Sequence, residues 1–275
     1  MDKINNKNLI VTGIPRSGTT LTTALIDGLS NSVCLSEPAW QARLFKETSN
    51  VNELVQQIEK DFVKTRGRIT NQELIDDRRH DDGLPLTNYI NYDKNGKVSK
   101  SKHANQFILH VDNKDFLLGM KHNAHYTSIL PHLVENNFFS VLATIRHPIP
   151  TILSWQKVNF PISKGRLPGA ERFWPEIKKN SDSTDPLLVK QVKIYDLFCE
   201  RYLSLADNIT LLKYETILEH PTVFEDLTNK RYEKEIDITD SNKNKHYQLE
   251  LVEDIRDQLE RYAPHALKLY SLDDY

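Results

Sequence analysis

The feature that most constrains this 275-residue chain is an apolar run with a turn and a helix-like segment behind it. The run is Leu9-Ile10-Val11-Thr12, the turn Gly13-Ile14-Pro15-Arg16-Ser17-Gly18, and the next segment starts at Thr19-Thr20-Leu21. It reads as a buried strand, a tight loop and a helix over 19–29. That order aims unpaired backbone N–H groups and the positive end of a helix dipole at one spot, a seat for an anionic, phosphate-like group. Arg16, Ser17, Thr19 and Thr20 crowd donors at the helix mouth, more than a purely architectural turn uses. The architectural reading stays open, because strand–Gly–helix corners also occur without a ligand.

The spacing Gly13-x-x-x-x-Gly18 matches a nucleotide P-loop, but Thr19 stands where that loop carries its Lys. The cation sits inside the loop, as Arg16. A phosphate-type group is expected here without the Lys that nucleoside triphosphate hydrolysis uses.

Strand-like runs at 8–12, 32–35, 116–120, 140–145 and 208–212 alternate with helical patterns at 19–29, 51–64, 123–136, 148–158, 187–207 and 246–262. Such alternation predicts an α/β fold: a P-loop-like parallel sheet flanked by helices on both faces, in a single domain. A hydrophobic fraction of 39% is enough for its core, and a net charge of −2 gives no global pull toward nucleic acid or an anionic membrane. Cys34 and Cys199 match no metal or redox spacing and read as reduced core thiols. The N-terminus shows no secretory signal and no run is long enough to span a membrane, so a cytoplasmic protein is expected. Two regions break the rhythm, 65–106 and 160–185, and both read as lid or acceptor-binding loops. The charge cluster at 76–82 reads as a solvated face, and 239–245 as a surface turn.

A second site candidate follows the run 140–145. Arg146 falls at the carboxyl end of that strand, the usual ligand edge of an open α/β sheet, and Pro148 suits the first turn of the next helix. Ser154 lies about two turns further along. A guanidinium and a hydroxyl so placed can grip one phosphate. An Arg held by a carboxylate is the alternative.

Taken together, the GIPRSGTT loop and the RHPIPTILS segment resemble the 5′-phosphosulfate loop and the 3′-phosphate motif of the sulfotransferases. These enzymes use 3′-phosphoadenosine 5′-phosphosulfate (PAPS) and release 3′,5′-adenosine bisphosphate. The resemblance continues through Ser36-Glu37-Pro38, Leu118-Gly119-Met120-Lys121 and Leu212-Lys213-Tyr214-Glu215, and is closest to the tyrosylprotein, carbohydrate and bacterial small-molecule branches. It implies that Arg16, Ser17, Gly18, Thr19 and Thr20 hold the 5′ phosphosulfate, Arg146 and Ser154 the 3′-phosphate, and that Tyr214 lies near the nucleotide. It also implies a catalytic carboxylate at Glu37 and a cation near the transferring sulfuryl group at Lys121, with no metal required. The chain departs from the cytosolic branch, which carries Lys where Arg16 stands and a catalytic His where Asn123 stands; His122 is one residue off that place and is the competing base. The late Arg-Lys-Gly motif of that branch is missing.

Sulfuryl transfer, like phosphoryl transfer, asks the protein for in-line positioning and for charge stabilisation on the departing oxygen. Glu37 as base has its own alternative, a helix cap or a partner for an Arg. Trp40 and Trp155 line an acceptor pocket or pack in the core. The expected acceptor is a small metabolite with a hydroxyl or amine, including polar alkaloids of the saxitoxin type, with no nucleic-acid or membrane partner. The rival readings are a P-loop kinase or NTPase and a non-catalytic nucleotide-binding relative.

Overall fold

The computed structural model describes residues 4, 7–92, 98–100, 105–242 and 244–275. The N-terminal reading at residues 1–3, 5 and 6, part of the 65–106 insertion (93–97 and 101–104) and residue 243 of the expected surface turn lie outside the described residues.

In chain order the strands are β1 (Asn8–Gly13), β2 (Ser32–Ser36), β3 (Leu74–Asp77), β4 (Ile90–Tyr92), β5 (Val98–Lys100), β6 (Asn105–Ile108), β7 (Leu117–Lys121), β8 (Ser140–Ile145) and β9 (Thr210–Lys213). The helices are α1 (Thr19–Asp27), α2 (Ala39–Glu47), α3 (Val51–Thr70), α4 (Asn123–Ser128), α5 (Leu130–Val134), α6 (Pro148–Lys157), α7 (Pro168–Glu171), α8 (Pro175–Asp182), α9 (Leu187–Ser204), α10 (Tyr214–Glu219), α11 (Val223–Thr228), α12 (Val252–Tyr262) and α13 (Ala266–Leu269).

The main sheet has five parallel strands in the order β2-β7-β1-β8-β9. Its strands are buried on both faces, which is why they are apolar throughout rather than alternating. Successive side chains still alternate between two cores. Leu9, Val11, Leu117 and Leu142 meet α1, α10 and α11. Ile10, Leu118, Met120 and Val141 meet α3, α5, α6, α9 and α12. No described helix is long and apolar enough to cross a membrane. Both cysteines are buried free thiols.

The chain leaves β1 through α1 toward β2 and leaves β8 through α6 toward β9, on opposite sides of the sheet. The connections therefore diverge at the carboxyl ends of β1 and β8 and open a crevice there, the place where open α/β sheets bind ligands.

Several expected elements shift. The helical pattern at 123–136 divides into α4 and α5, because Pro131 has no N–H to continue the ladder. α3 runs on to Thr70 rather than 64, since Thr65 and Ile69 prolong the buried stripe of Leu54, Ile58 and Phe62. The helix expected over 246–262 starts as a short 3₁₀ turn and becomes α-helical only at Val252. The structure adds α2, unforeseen from the sequence, and two small antiparallel pairs, β3–β6 and β4–β5.

The cluster at 76–82 is a solvated face only in part: His80, Asp81 and Asp82 are exposed, but Asp77 and Arg79 are buried. Burial alternates through Ile75, Asp77 and Arg79, and the Arg79 side chain is only 2% exposed. Its guanidinium clasps Asp27 through both terminal nitrogens at 2.6 and 2.9 Å and Asp77 through Nε at 2.9 Å. The two carboxylates accept the backbone N–H groups of Cys34 and Ser36, both at 3.0 Å. Those groups point outward from β2, the edge strand, so the ion network closes an edge that would otherwise expose a row of unpaired donors. Burial alone would raise the Asp27 carboxyl, but Arg79 and Lys234 hold it below the usual carboxylate range; at Asp77 burial prevails and raises it.

Arg79→Met leaves Asp77 buried without a cation and Asp27 with Lys234 alone, and urea denaturation should show a loss of about 3–5 kcal/mol. A loss below about 1 kcal/mol would mean that the network does not support this edge.

Candidate functional site

A cavity of about 890 Å³ opens at the carboxyl ends of β1, β7 and β8. One end is the β1–α1 loop. Gly13 packs so closely on β8 that an added Cβ would stand 2.4 Å from Thr144 Oγ1, and one on Gly18 (φ 86°) would stand 2.4 Å from the Tyr214 ring. Only glycine fits either place. The Ser17 hydroxyl donates to the Thr144 carbonyl at 2.8 Å, and Trp155 Nε1 donates to the Pro15 carbonyl at 2.7 Å. Gly18 is the N-cap of α1 and no side chain caps that helix. The first-turn amides are therefore presented to the cavity, which Gly18, Thr19, Thr20 and Leu21 line.

Arg16 has φ 73° and Glu37 φ 53°, a region that costs a side-chain-bearing residue of order 1 kcal/mol. Arg16 lies in the β1–α1 loop and Glu37 directly after β2, both on the cavity wall. Arg16 Nε donates to Ser154 Oγ at 3.1 Å, while Arg146 Nη1 donates to the Arg16 carbonyl at 3.2 Å. The loop and the end of β8 thus converge on one cleft. The other Arg146 side-chain hydrogen bonds run from Nε to Asn242 Oδ1 at 2.7 Å, and from Nη2 to the Ser241 carbonyl at 2.6 Å and the Tyr247 hydroxyl at 3.2 Å, and the guanidinium lies over the Tyr214 ring, 5.1 Å from its centroid. Tyr214 pins the same segment, donating to the Thr239 carbonyl at 2.9 Å and accepting from Ser241 N–H at 3.0 Å. The stretch read as a surface turn is a strap whose Thr239 and Ser241 line the cavity.

At the other end Lys121, 1% exposed, donates to Glu37 Oε1 at 2.9 Å, and Arg78 donates to Oε2 at 3.0 Å. Lys121 and Arg78 also sit over the Tyr89 ring, 4.8 and 5.1 Å from its centroid, and the Tyr89 hydroxyl bonds Ser36 Oγ. Burial would raise the Glu37 carboxyl, but Lys121, with help from His122 and Arg78, takes it down to about 2. At neutral pH it is an ionised partner of two cations and a weak proton acceptor.

Other sequence candidates fall outside the cavity wall. His122 is buried behind Pro38, its Nε2 3.4 Å from that carbonyl, and burial lowers its imidazole to about 3. Ser154 and Ser17 are buried and act on the site through Arg16 and Thr144. Trp155 is fully buried and Trp40 packs against the larger core, so neither lines an acceptor pocket. That part of the wall comes from Arg78, Asn88 and Tyr89 and from Phe160, Leu167 and Pro168. Sequence reasoning missed Arg78, Tyr89 and His125. The alternation of Asp77, Arg78 and Arg79 was the one available signal, a period of two that sends neighbours to opposite sides.

The chain matches no family model and no curated protein.

The pairing of Glu37 has a definite pH signature. Its carboxyl moves from an ordinary 4.5 to about 2, so the stability it contributes is fully present above pH 4.5 and lost as pH falls toward 2. The stability gap between wild type and Glu37→Gln, measured by urea denaturation, should narrow between pH 5 and 2. A gap constant over that range would place the carboxylate outside the ion pair.

Proposed function

We propose that this chain is a sulfotransferase, moving a sulfuryl group from PAPS to a hydroxyl or amine of a small-molecule acceptor. One observation carries the reading. The uncapped α1 N-terminus and the Arg146 guanidinium face a single cleft and are tied together by the 3.2 Å bond to the Arg16 carbonyl. Two anion seats in one crevice suit a ligand with phosphate groups at both ends of a nucleoside. The charge of the wall agrees: Arg16, Arg78, Lys121, Arg146 and Arg166 stand against Glu37. Arg166 is taken up by Glu171, at 2.6 Å, and the single Glu37 carboxylate is shared between Lys121 and Arg78.

On this reading the first-turn amides of α1 and Arg16 hold the 5′ phosphosulfate. Arg146 takes the 3′-phosphate by exchanging strap carbonyls for phosphate oxygens, a bidentate task that its planar fork suits. Tyr214, packed on Gly18, backs the loop from below. The donor supplies an activated sulfuryl group. Lys121 and Arg16 neutralise the negative charge that develops on the departing oxygen, and preorganised donors of this kind are worth about 10²–10³ in rate each. Glu37 holds the Lys121 ammonium in place, and with the aromatic face of Tyr89 it keeps a buried cation tolerable. Thr19 at the position of a P-loop Lys disfavours the kinase or NTPase reading.

Isothermal calorimetry with 3′,5′-adenosine bisphosphate and with ATP–Mg²⁺ tests this. The bisphosphate should bind and raise the melting temperature while ATP–Mg²⁺ does neither. Arg146→Lys should weaken bisphosphate binding by about 10–100-fold, the scale of lost charge-assisted hydrogen bonds. Binding of ATP–Mg²⁺ alone, or an Arg146→Lys variant with unchanged affinity, would overturn the assignment.

A further inference from the structure

The carboxylate at the acceptor end is held by two cations, so the proton that an acceptor hydroxyl or amine must lose needs another destination. Among the described residues on the cavity wall, the only carboxylate or imidazole side chains are Glu37 and His125. Each Glu37 oxygen already accepts from a cation, Lys121 on one side and Arg78 on the other. His122 is not on the wall. The Tyr89 hydroxyl is engaged with Ser36.

His125 is placed differently. It lies on α4, whose entry is pinned to β1 by the Thr12 hydroxyl, bonded to the His122 and Asn123 carbonyls at 3.0 and 2.8 Å. Its ring is packed edge-on against Phe45, with centroids 4.6 Å apart, and against His122 at 5.0 Å. Gly169 of α7 closes the other side, where an added Cβ would stand 2.8 Å from His125 Cε1. The ring is thus fixed in position, yet no hydrogen bond to either ring nitrogen occurs among the described residues. The charged and titratable groups around it are Glu37 at the end of β2, Lys46 on α2, His122 beside its own helix and, on α7, Glu171, which is spent on Arg166. Burial, with Lys46, lowers the imidazole below its ordinary 6.5 against the opposing pull of Glu37. It is neutral and able to take a proton at physiological pH.

We propose that His125 is the proton acceptor of this cavity, taking the hydroxyl or amine proton of the acceptor as the sulfuryl group arrives. The inference rests on the sulfuryl-transfer reading. The acceptor oxygen or nitrogen forms its bond to sulfur while the bond from sulfur to the phosphate oxygen breaks. That oxygen leaves with the electron pair, facing Lys121 and Arg16, and the proton of the acceptor goes to the imidazole, which becomes imidazolium. Glu37 is then the counter-charge for Lys121 and Arg78, and its negative charge nearby favours the imidazolium.

The test needs no knowledge of the natural acceptor, because water serves as the probe. Calorimetry with 3′,5′-adenosine bisphosphate comes first: a chain that does not bind it fails the sulfuryl-transfer reading itself. With binding present, hydrolysis of PAPS by water is followed as release of bisphosphate across pH 4–9. The wild-type rate should fall on the acid side as the imidazole protonates. His125→Gln should lower the neutral-pH rate by about 10²–10⁴-fold and abolish that acid limb, while Glu37→Gln keeps it. Gly169→Ala, which crowds the ring without removing it, should reduce the rate and leave bisphosphate affinity unchanged. In parallel, ¹³C-histidine NMR should show the His125 ring titrating below 6.5 in the free chain and higher with bisphosphate bound, as an anion enters the same cavity. The proposal is overturned if bisphosphate binds while the His125 signal stays unmoved. It is equally overturned if hydrolysis is absent, or if its acid limb survives His125→Gln.

Discussion

The hydrogen bonds that fasten the β1–α1 loop to the end of β8 are the constraint on which the rest of the site depends. Ser17 holds the Thr144 carbonyl, Trp155 holds the Pro15 carbonyl, and Gly13 lies close enough to Thr144 to exclude any side chain. A loop tied this firmly can keep Arg16 at positive φ and leave the first turn of α1 without a cap. Both features cost free energy in isolation and persist where the surroundings over-determine them. The same ties bring the Arg146 guanidinium to the loop carbonyl, so the loop and the end of β8 share one cleft.

Cations around the cavity are handled in three ways. Arg146 is held mainly by carbonyl dipoles of the strap. Lys121 is paired with a carboxylate and laid over an aromatic face. Arg79 is buried outside the cavity between two carboxylates and serves the sheet edge. Adjacent residues of one short segment therefore do unlike work, Arg78 at the site and Arg79 in the network beneath it.

The parallel sheet was legible because its strands are buried on both faces and read as unbroken apolar runs, and the strand–glycine–helix corner because it is local. Arg146 was legible as a strand-end cation, Arg16 as the cation inside the loop, and Lys121 through the family resemblance. The site's second half was not. Residues 76–82 look like solvated charge until Asp27, more than fifty positions earlier, supplies the partner that buries Arg79. His122 and His125 are nearly equivalent on paper. The turn after β7 decides which ring meets the cavity and which is walled in by Pro38. The strap at 239–242 and 244–247 is polar and turn-rich, and only the carbonyl geometry around Arg146 shows that it borders the cavity.

The sequence by itself determined the α/β layering, the corner that presents backbone amides, and the cations at the strand ends, because each depends on residues close together in the chain. Tertiary structure alone decided which side chains share the cavity, which charges cancel one another, and which of two neighbouring histidines reaches its wall. Those outcomes arise between segments far apart in sequence, and there burial and charge pairing, rather than residue type, set what each group can do.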